Sequence, residues 1–341
     1  MTGAVLVTGG AGYIGSHVVL ALRDANMQVV VLDDMSTGRA EAVPEDVRLV
    51  RGSTGDVALV RRTLRRHRVR AVLHLAASLV VPDSVAQPLG YWRNNVANTL
   101  ALAEACVAEG VRRVIFSSTA AVYGIPDRHP VAEHEPCRPI NPYGASKHAA
   151  ERLLEAAGAA HGLSVMVLRY FNVAGADPHG RAGQRTPGAT HLIKVACEAA
   201  LGLRPRIAVF GSDFATPDGT GVRDYIHVSD LARAHLAALR YLEGGGAGTV
   251  LNCGYGVGTS VRQVLQAVER AAGCALPVSM APRRPGDPPA LVACVDRIGA
   301  VLDWRPAFSD LDAIVAGALA WERRLAADVP AVRRAGQRLS A

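Results

Sequence analysis

Three glycines at three-residue spacing, Gly9, Gly12 and Gly15, stand where an apolar run ends and a helical pattern begins. Residues 4–8 (Ala-Val-Leu-Val-Thr) read as a buried strand, and residues 17–25 carry apolar side chains at helical spacing. A strand that turns through such a triplet into a helix lets the chain bend tightly, approach a pyrophosphate and pack helix on strand. The helix N-terminus then attracts the anion. Asp33 closes the next apolar run, residues 29–32, where a carboxylate accepts hydrogen bonds from the adenosine ribose. It would repel a 2′-phosphate, which favours NAD over NADP. A glycine-rich turn without a ligand is the competing reading, and Asp34 reads as a solvated loop carboxylate.

Further apolar runs at residues 71–75, 114–116 and 164–168 alternate with helical patterns at 57–68 and 99–108. Continuous apolar strands belong to a parallel sheet covered on both faces. The expected fold is therefore α/β, a doubly wound parallel Rossmann sheet with a smaller C-terminal α/β substrate lobe. Residues 1–175 are expected to form the NAD-binding domain. Residues 176–341, richer in Gly, Pro and Asp loops, are expected to form the second lobe, with some later segments returning to the first. A helix over 310–326 should pack back onto the body.

With 341 residues, half of them hydrophobic, the chain is large enough for such a core. Gly, Pro or charge interrupts every apolar segment, so no membrane span is expected, and no secretory leader is visible. A cytoplasmic location follows as an expectation. The net charge of +7 is dispersed apart from Arg61-Arg62 and Arg65-Arg66, which read as a solvated helix face, so no nucleic-acid partner is expected. Six scattered cysteines lack metal-ligand spacing and read as small buried thiols, with no metal. Of 37 basic residues only Lys147 and Lys194 are lysines. Lysine, unlike arginine, has a tunable pKa.

Lys147 lies four residues after Tyr143, on one face of a helix for which Asn141 is a suitable N-cap and Pro142 a suitable first residue. Bringing a tyrosine from ~10 to about 7 requires roughly 4 kcal/mol of preferential stabilisation of the phenolate. A neighbouring ammonium and a positive nicotinamide ring have the right sign. Such a tyrosine can take a proton from a sugar hydroxyl as its carbon gives up hydride, then return it. Thr119, just after a strand, could bond the same hydroxyl, whereas Tyr123 reads as a packing aromatic. The competing reading of Tyr143 and Lys147 is an ordinary exposed helix pair.

With these residues in place the chain resembles the extended short-chain dehydrogenases/reductases and, within them, the UDP-glucose (UDP-galactose) 4-epimerases. The resemblance covers nearly the whole chain. It is carried by residues 7–17, Ser117-Ser118-Thr119, Tyr143 with Lys147, Arg169-Tyr170-Phe171-Asn172, residues 218–227 and residues 283–287. It implies that UDP-galactose and UDP-glucose are interconverted through a transient 4-keto sugar, with NAD kept bound. Tyr143 would be the acid/base, Lys147 its partner and a ribose ligand, and Thr119 the hydroxyl helper. Cofactor contacts would come from Gly9, Gly12, Tyr13, Ile14, Gly15 and Asp33, then from Ser53, Leu75, Ala76, Ala77, Asn94 and Ser117. Phe171 would lie against the nicotinamide. For the UDP-sugar, Asn172 and Arg223 would hold the diphosphate, Ala208, Val209 and Phe210 the uracil, and Arg284 and Asp287 the phosphate and uridine ribose. His191, Leu192 and Leu291 complete the implied substrate contacts. A homodimer is typical of the family.

Three positions depart from the family pattern. Leu79 stands where some members place a cofactor-contacting lysine. Ser53 stands where an adenine-binding aspartate is common, with Asp56 nearby either compensating or capping a helix. Leu291 is intermediate between the bulky wall of glucose-restricted enzymes and the small one of enzymes that accept N-acetylated sugars. A 4-epimerase for UDP-N-acetylhexosamine or UDP-pentose therefore stays open. A 4,6-dehydratase is disfavoured because Ala120 and Ala121 follow Thr119 where that enzyme has acids. A non-catalytic NAD-sensing module would need neither the acid/base set nor the nucleotide grip.

Overall fold

The computed structural model describes residues 3–186, 188–284 and 286–328. Pro285, inside one of the blocks that carry the resemblance, and residues 329–341 of the expected second lobe lie outside them.

The apolar runs form a seven-stranded sheet in the order β10-β6-β5-β4-β1-β2-β3, with every pairing parallel. Its strands are β1 (Val5–Thr8), β2 (Val29–Asp33), β3 (Arg48–Arg51), β4 (Ala71–His74), β5 (Arg113–Thr119), β6 (Ser164–Tyr170) and β10 (Val250–Cys253). Alternate side chains serve opposite faces. Val5 and Val7 pack with α1 (Tyr13–Asp24) and α8 (Val228–Glu243), while Leu6 packs with α2 (Val57–Arg66) and α5 (Asn98–Ala108). The short helices α3 (Val81–Ala86) and α4 (Pro88–Tyr91) and a π-helical turn (Trp92–Ala97) precede α5, and α6 (Pro142–His161) packs through Ala150 and Leu154 on Phe116.

Strand order reverses between β2 and β4 on either side of β1, and ligands of such sheets bind in the crevice at the carboxyl ends there. Strand β3 escaped the sequence reading because Arg48 and Arg51, exposed at both ends, hide an edge strand of two apolar residues. Strand β10 enters beside β6 from 80 residues further along the chain, which no local pattern reveals.

The second core gathers α7 (Leu192–Ala200), α9 (Val261–Ala272) and α11 (Leu311–Asp328) around β8 (Ile207–Phe210), which pairs with β12 (Val278–Ala281). A small sheet of β7 (Asn172–Ala174), β9 (Val222–His227), β11 (Gly258–Ser260) and β13 (Ala290–Leu291) joins the two regions. Helix α10 (Asp296–Leu302) packs on β10 through the first core. Among the described residues, no helix is long and apolar enough to cross a membrane.

The cysteine expectation needs correction. All six are free, but only Cys106, Cys197 and Cys253 are buried; Cys137 and Cys294 are partly covered and Cys274 is exposed.

Candidate active site

The glycine turn sits at the carboxyl end of β1. Gly9 has φ of +70°, and a Cβ there would lie 2.7 Å from the Ala76 nitrogen, so the turn and the Leu75-Ala76-Ala77 segment after β4 approach backbone to backbone. Helix α1 starts at Gly12 with no side-chain cap, leaving its first N–H groups for an anion. Asp33 is buried at the end of β2 and accepts from Ala11 N and Met35 N, each at 2.9 Å. Burial pushes its carboxyl above the ordinary range. Each oxygen keeps a lone pair for a ribose hydroxyl. Tyr13 turns its hydroxyl away, to the carbonyl of Gly175 at 2.7 Å.

Along the same rim, Ser53 Oγ accepts from Asn98 Nδ2 at 3.4 Å, Asn98 donates to Asn94 Oδ1 at 2.9 Å, and Asn94 donates to Ser78 Oγ at 2.9 Å. Asn98, which the sequence reading did not single out, thus links Ser53 to Asn94. Asp56 does not substitute for the missing aspartate: its Oδ1 accepts from Leu59 N at 2.9 Å as the N-cap of α2. Leu79 is half-exposed just beyond β4. The Ser117 hydroxyl is taken by His235 of α8 at 2.8 Å.

Helix α6 begins as its sequence requires, with Asn141 Oδ1 accepting from Gly144 N at 2.8 Å and Pro142 first. Tyr143 packs edge-on against Tyr91, ring centroids 6.4 Å apart. Burial raises the phenol to about 12 and lowers Lys147 to about 7, while the Thr119 side chain draws Tyr143 down and Glu151 draws Lys147 up. Lys147 is buried with Nζ 4.2 Å above the Phe116 ring, which excludes an ordinary exposed pair. Tyr123 is fully buried and donates to Asn252 Oδ1 at 2.7 Å, a packing aromatic as its sequence context suggested.

Phe171 and Leu291 belong to one apolar cluster with Ala120 and Val122, directly after Thr119. Beyond it, Arg223 Nη2 lies 3.5 Å from Asp287 Oδ1, and the Arg284 guanidinium stacks 3.8 Å over Phe210. Along β8 exposed Ala208 alternates with Val209, whose side chain is buried in the second core, so Val209 can offer a ligand only main-chain atoms. Asn172 and His191 border one small cavity. Next to Arg223, Asp224 is buried and accepts from Tyr255 N, Gly256 N and Ala293 N, so it serves the interior and not the surface. Elsewhere, Cys137, His148 and Glu151 bring potential ligand atoms within 4.8 Å of one another, but Arg169 occupies both Glu151 oxygens.

A model of the NAD dependent epimerase/dehydratase family matches residues 5–254. The chain belongs to this family. It is 59% identical over 321 residues to the UDP-glucose 4-epimerase of Azospirillum brasilense, covering 94% of this chain and 92% of that one. It is similar to the crystal structure of UDP-glucose 4-epimerase from Brucella ovis in complex with NAD, with a TM-score of 0.91 and 44% identity over 94% of this chain and 98% of that one. The UDP-glucose-4-epimerase of Stenotrophomonas maltophila, with bound NAD and formylated UDP-arabinopyranose, superposes with a TM-score of 0.92 at 36% identity, covering 95% and 99%.

In this member of the epimerase/dehydratase family, the uncapped helix, the close backbone turn and buried Asp33 fit NAD, which is the cofactor. One residue that sequence reasoning missed is Glu151, one turn after Lys147, and another is Tyr91, which packs on the Tyr143 ring. Glu151 is held by Arg169 through Nε–Oε1 at 3.0 Å and Nη2–Oε2 at 2.6 Å. A carboxylate four residues after the lysine on the same helix was the available signal.

Proposed function

We propose that the protein is a UDP-glucose 4-epimerase that interconverts UDP-galactose and UDP-glucose through a transient 4-keto sugar. NAD supplies the chemistry of accepting a hydride from the sugar C4 and giving it back. Tyr143 takes the C4 hydroxyl proton and returns it on the other face, with Thr119 bonding the same oxygen. Because burial holds Tyr143 near 12 with Lys147 already in place, the phenolate requires the further positive charge of the nicotinium ring. Asn172, His191, Arg223, Arg284 and Asp287 hold the nucleotide while the keto sugar turns.

The observation that carries this reading is the Tyr143, Thr119 and Lys147 group followed by Ala120 and Ala121, buried or partly buried side chains with no acid to drive elimination. Incubating the pure protein separately with UDP-galactose, UDP-N-acetylgalactosamine and UDP-xylose tests it. UDP-glucose should form from the first, and no product from any of the three overturns the reading. Tyr143→Phe should retain NAD and lose turnover, which separates an enzyme from an NAD-sensing module of the same fold.

A second reading, a pentose or N-acetylhexosamine 4-epimerase, draws support from the arabinopyranose nucleotide in the Stenotrophomonas structure and from the intermediate size of Leu291, which the resemblance assigns to the sugar-pocket wall. Residues 1–175 are assigned to the NAD-binding domain and 176–341 to the nucleotide-sugar lobe, with α8 and β10 returning to the first. Val85, Leu89, Trp92 and Leu100 expose apolar side chains on neighbouring helical segments, a patch suited to a second copy in a homodimer. Six free thiols suit the reducing cytoplasm.

A further inference from the structure

Helix α11, which lies beyond the matched family region, reaches the substrate residues through a buried ion pair. Lys194 Nζ on α7 donates to Glu322 Oε1 on α11 at 2.6 Å, both side chains buried. The same ammonium donates to the main-chain oxygen of Gln184 at 3.4 Å. The Gln184 side-chain amide in turn meets Nδ1 of His191 at 2.8 Å. Two neighbours of Glu322 grip the same loop. Trp321 covers Gly183 so closely that a Cβ there would lie 2.4 Å from the indole, and Arg324 donates to Gly180 O at 2.6 Å.

A buried ion pair is weak evidence for stability, since an apolar pair of similar volume often does as well. Here the ammonium also fixes the carbonyl of the residue that holds His191. With the amide N–H donating to Nδ1, a neutral imidazole carries its proton on Nε2 and keeps one donor for an anion. Burial lowers the His191 pKa and favours that neutral form. His191 borders the same cavity of about 20 Å³ as Asn172, the residue assigned to the diphosphate.

We propose that Gln184, anchored by the Lys194–Glu322 pair, is a positioning residue for the UDP-sugar diphosphate: it orients His191 so that its Nε2–H faces the phosphate oxygens. This rests on His191 being a substrate contact, and a double-mutant cycle separates the two ideas. UDP affinity is measured by calorimetry on the NAD-loaded full chain for Gln184→Leu, His191→Ala and the double variant. Each single change should weaken UDP about tenfold, as expected for one hydrogen bond to a charged group. The double variant should bind no more weakly than His191→Ala. In Gln184→Leu, kcat at saturating UDP-galactose and bound NAD should stay within about twofold while KM rises, and Glu322→Gln should raise KM in the same direction. Additive losses, or weakening by His191→Ala but not by Gln184→Leu, overturn the positioning role. Unchanged affinity in His191→Ala removes the substrate contact itself, and the proposal with it. If Gln184→Leu does not fold, Gln184→Asn, with its amide drawn back by one methylene, takes its place in the cycle.

Discussion

Arg169 holds Glu151 in a two-point grip, Nε to Oε1 at 3.0 Å and Nη2 to Oε2 at 2.6 Å, beneath the helix that carries Tyr143 and Lys147. Ser118 bonds the same carboxylate and Tyr123 the same guanidinium, so β5, β6 and α6 share one buried polar junction. Glu151→Gln leaves the guanidinium buried without its counter-charge and should destabilise the fold by about 3–5 kcal/mol, as read from urea unfolding. It also removes the charge that supports Lys147, so the amine should lose its proton at lower pH.

Thr119→Val tests the hydroxyl beside the phenol. Its loss removes the hydrogen bond that draws Tyr143 down. A fall in kcat of about 10²-fold or more is expected. The acidic limb of the kcat–pH profile should move to higher pH, because the base form of Tyr143 then requires a higher pH. An unmoved limb would remove Thr119 from that role.

Gly15→Ala should yield protein without NAD. The added Cβ would lie 2.0 Å from Gly9 O, and main chain cannot yield as a flexible side chain can. Denaturing the purified variant and measuring released dinucleotide gives the answer.

Buried histidines set the acid limit of stability. Burial lowers His17 and His235 to about 4 and His74 to about 3, whereas in the unfolded chain each takes its proton near 6.5. Above 6.5 both states are neutral and nothing is lost. Below 6.5 the unfolded state binds more protons, so stability should fall by about 1.4 kcal/mol per pH unit for each histidine until the folded pKa is passed. Urea midpoints measured from pH 7 to pH 4.5 should drop accordingly, and a flat series would show the three to be solvated.

Leu291, walled in with Phe171, Val122 and Tyr123, should limit the sugar pocket. Leu291→Ala is expected to raise turnover of UDP-N-acetylgalactosamine relative to UDP-galactose by about tenfold, within the range that a few methylenes can supply. Equal turnover of both sugars by the unmodified protein would refute the restriction.

Local chemistry was the legible part of this molecule. The glycine turn, Asp33 at the end of β2 and the Asn141-Pro142 start of α6 each follow from a few adjacent residues whose conformational needs are specific. The runs at 29–32 and 164–168 were plain because strands buried on both faces are largely apolar, whereas the Arg169-Tyr170 end of β6 was not. Contacts made across the chain were hidden. Nothing near Lys194 announces Glu322, and nothing near Ser53 announces that Asn98 will tie it to Asn94. Asp56 illustrates the limit from the other side, because its spacing before a helix allowed either a ligand or a cap, and only the Leu59 bond decides. For Tyr143 the charge of its neighbour was visible in the sequence, but the depth of its burial was not.

Strand β10 lies at the edge of the large sheet beside β6, and α8 covers α1 from the same side. A ribosome delivers these pieces only after α7 and β8 of the substrate lobe have been made, and before α9, β12 and α11. The nascent cofactor domain must therefore wait with one strand edge and one helix face uncovered until residue 253 emerges. A fragment ending at residue 175 would keep both surfaces open permanently, as a template for aggregation rather than an independent dinucleotide-binding module.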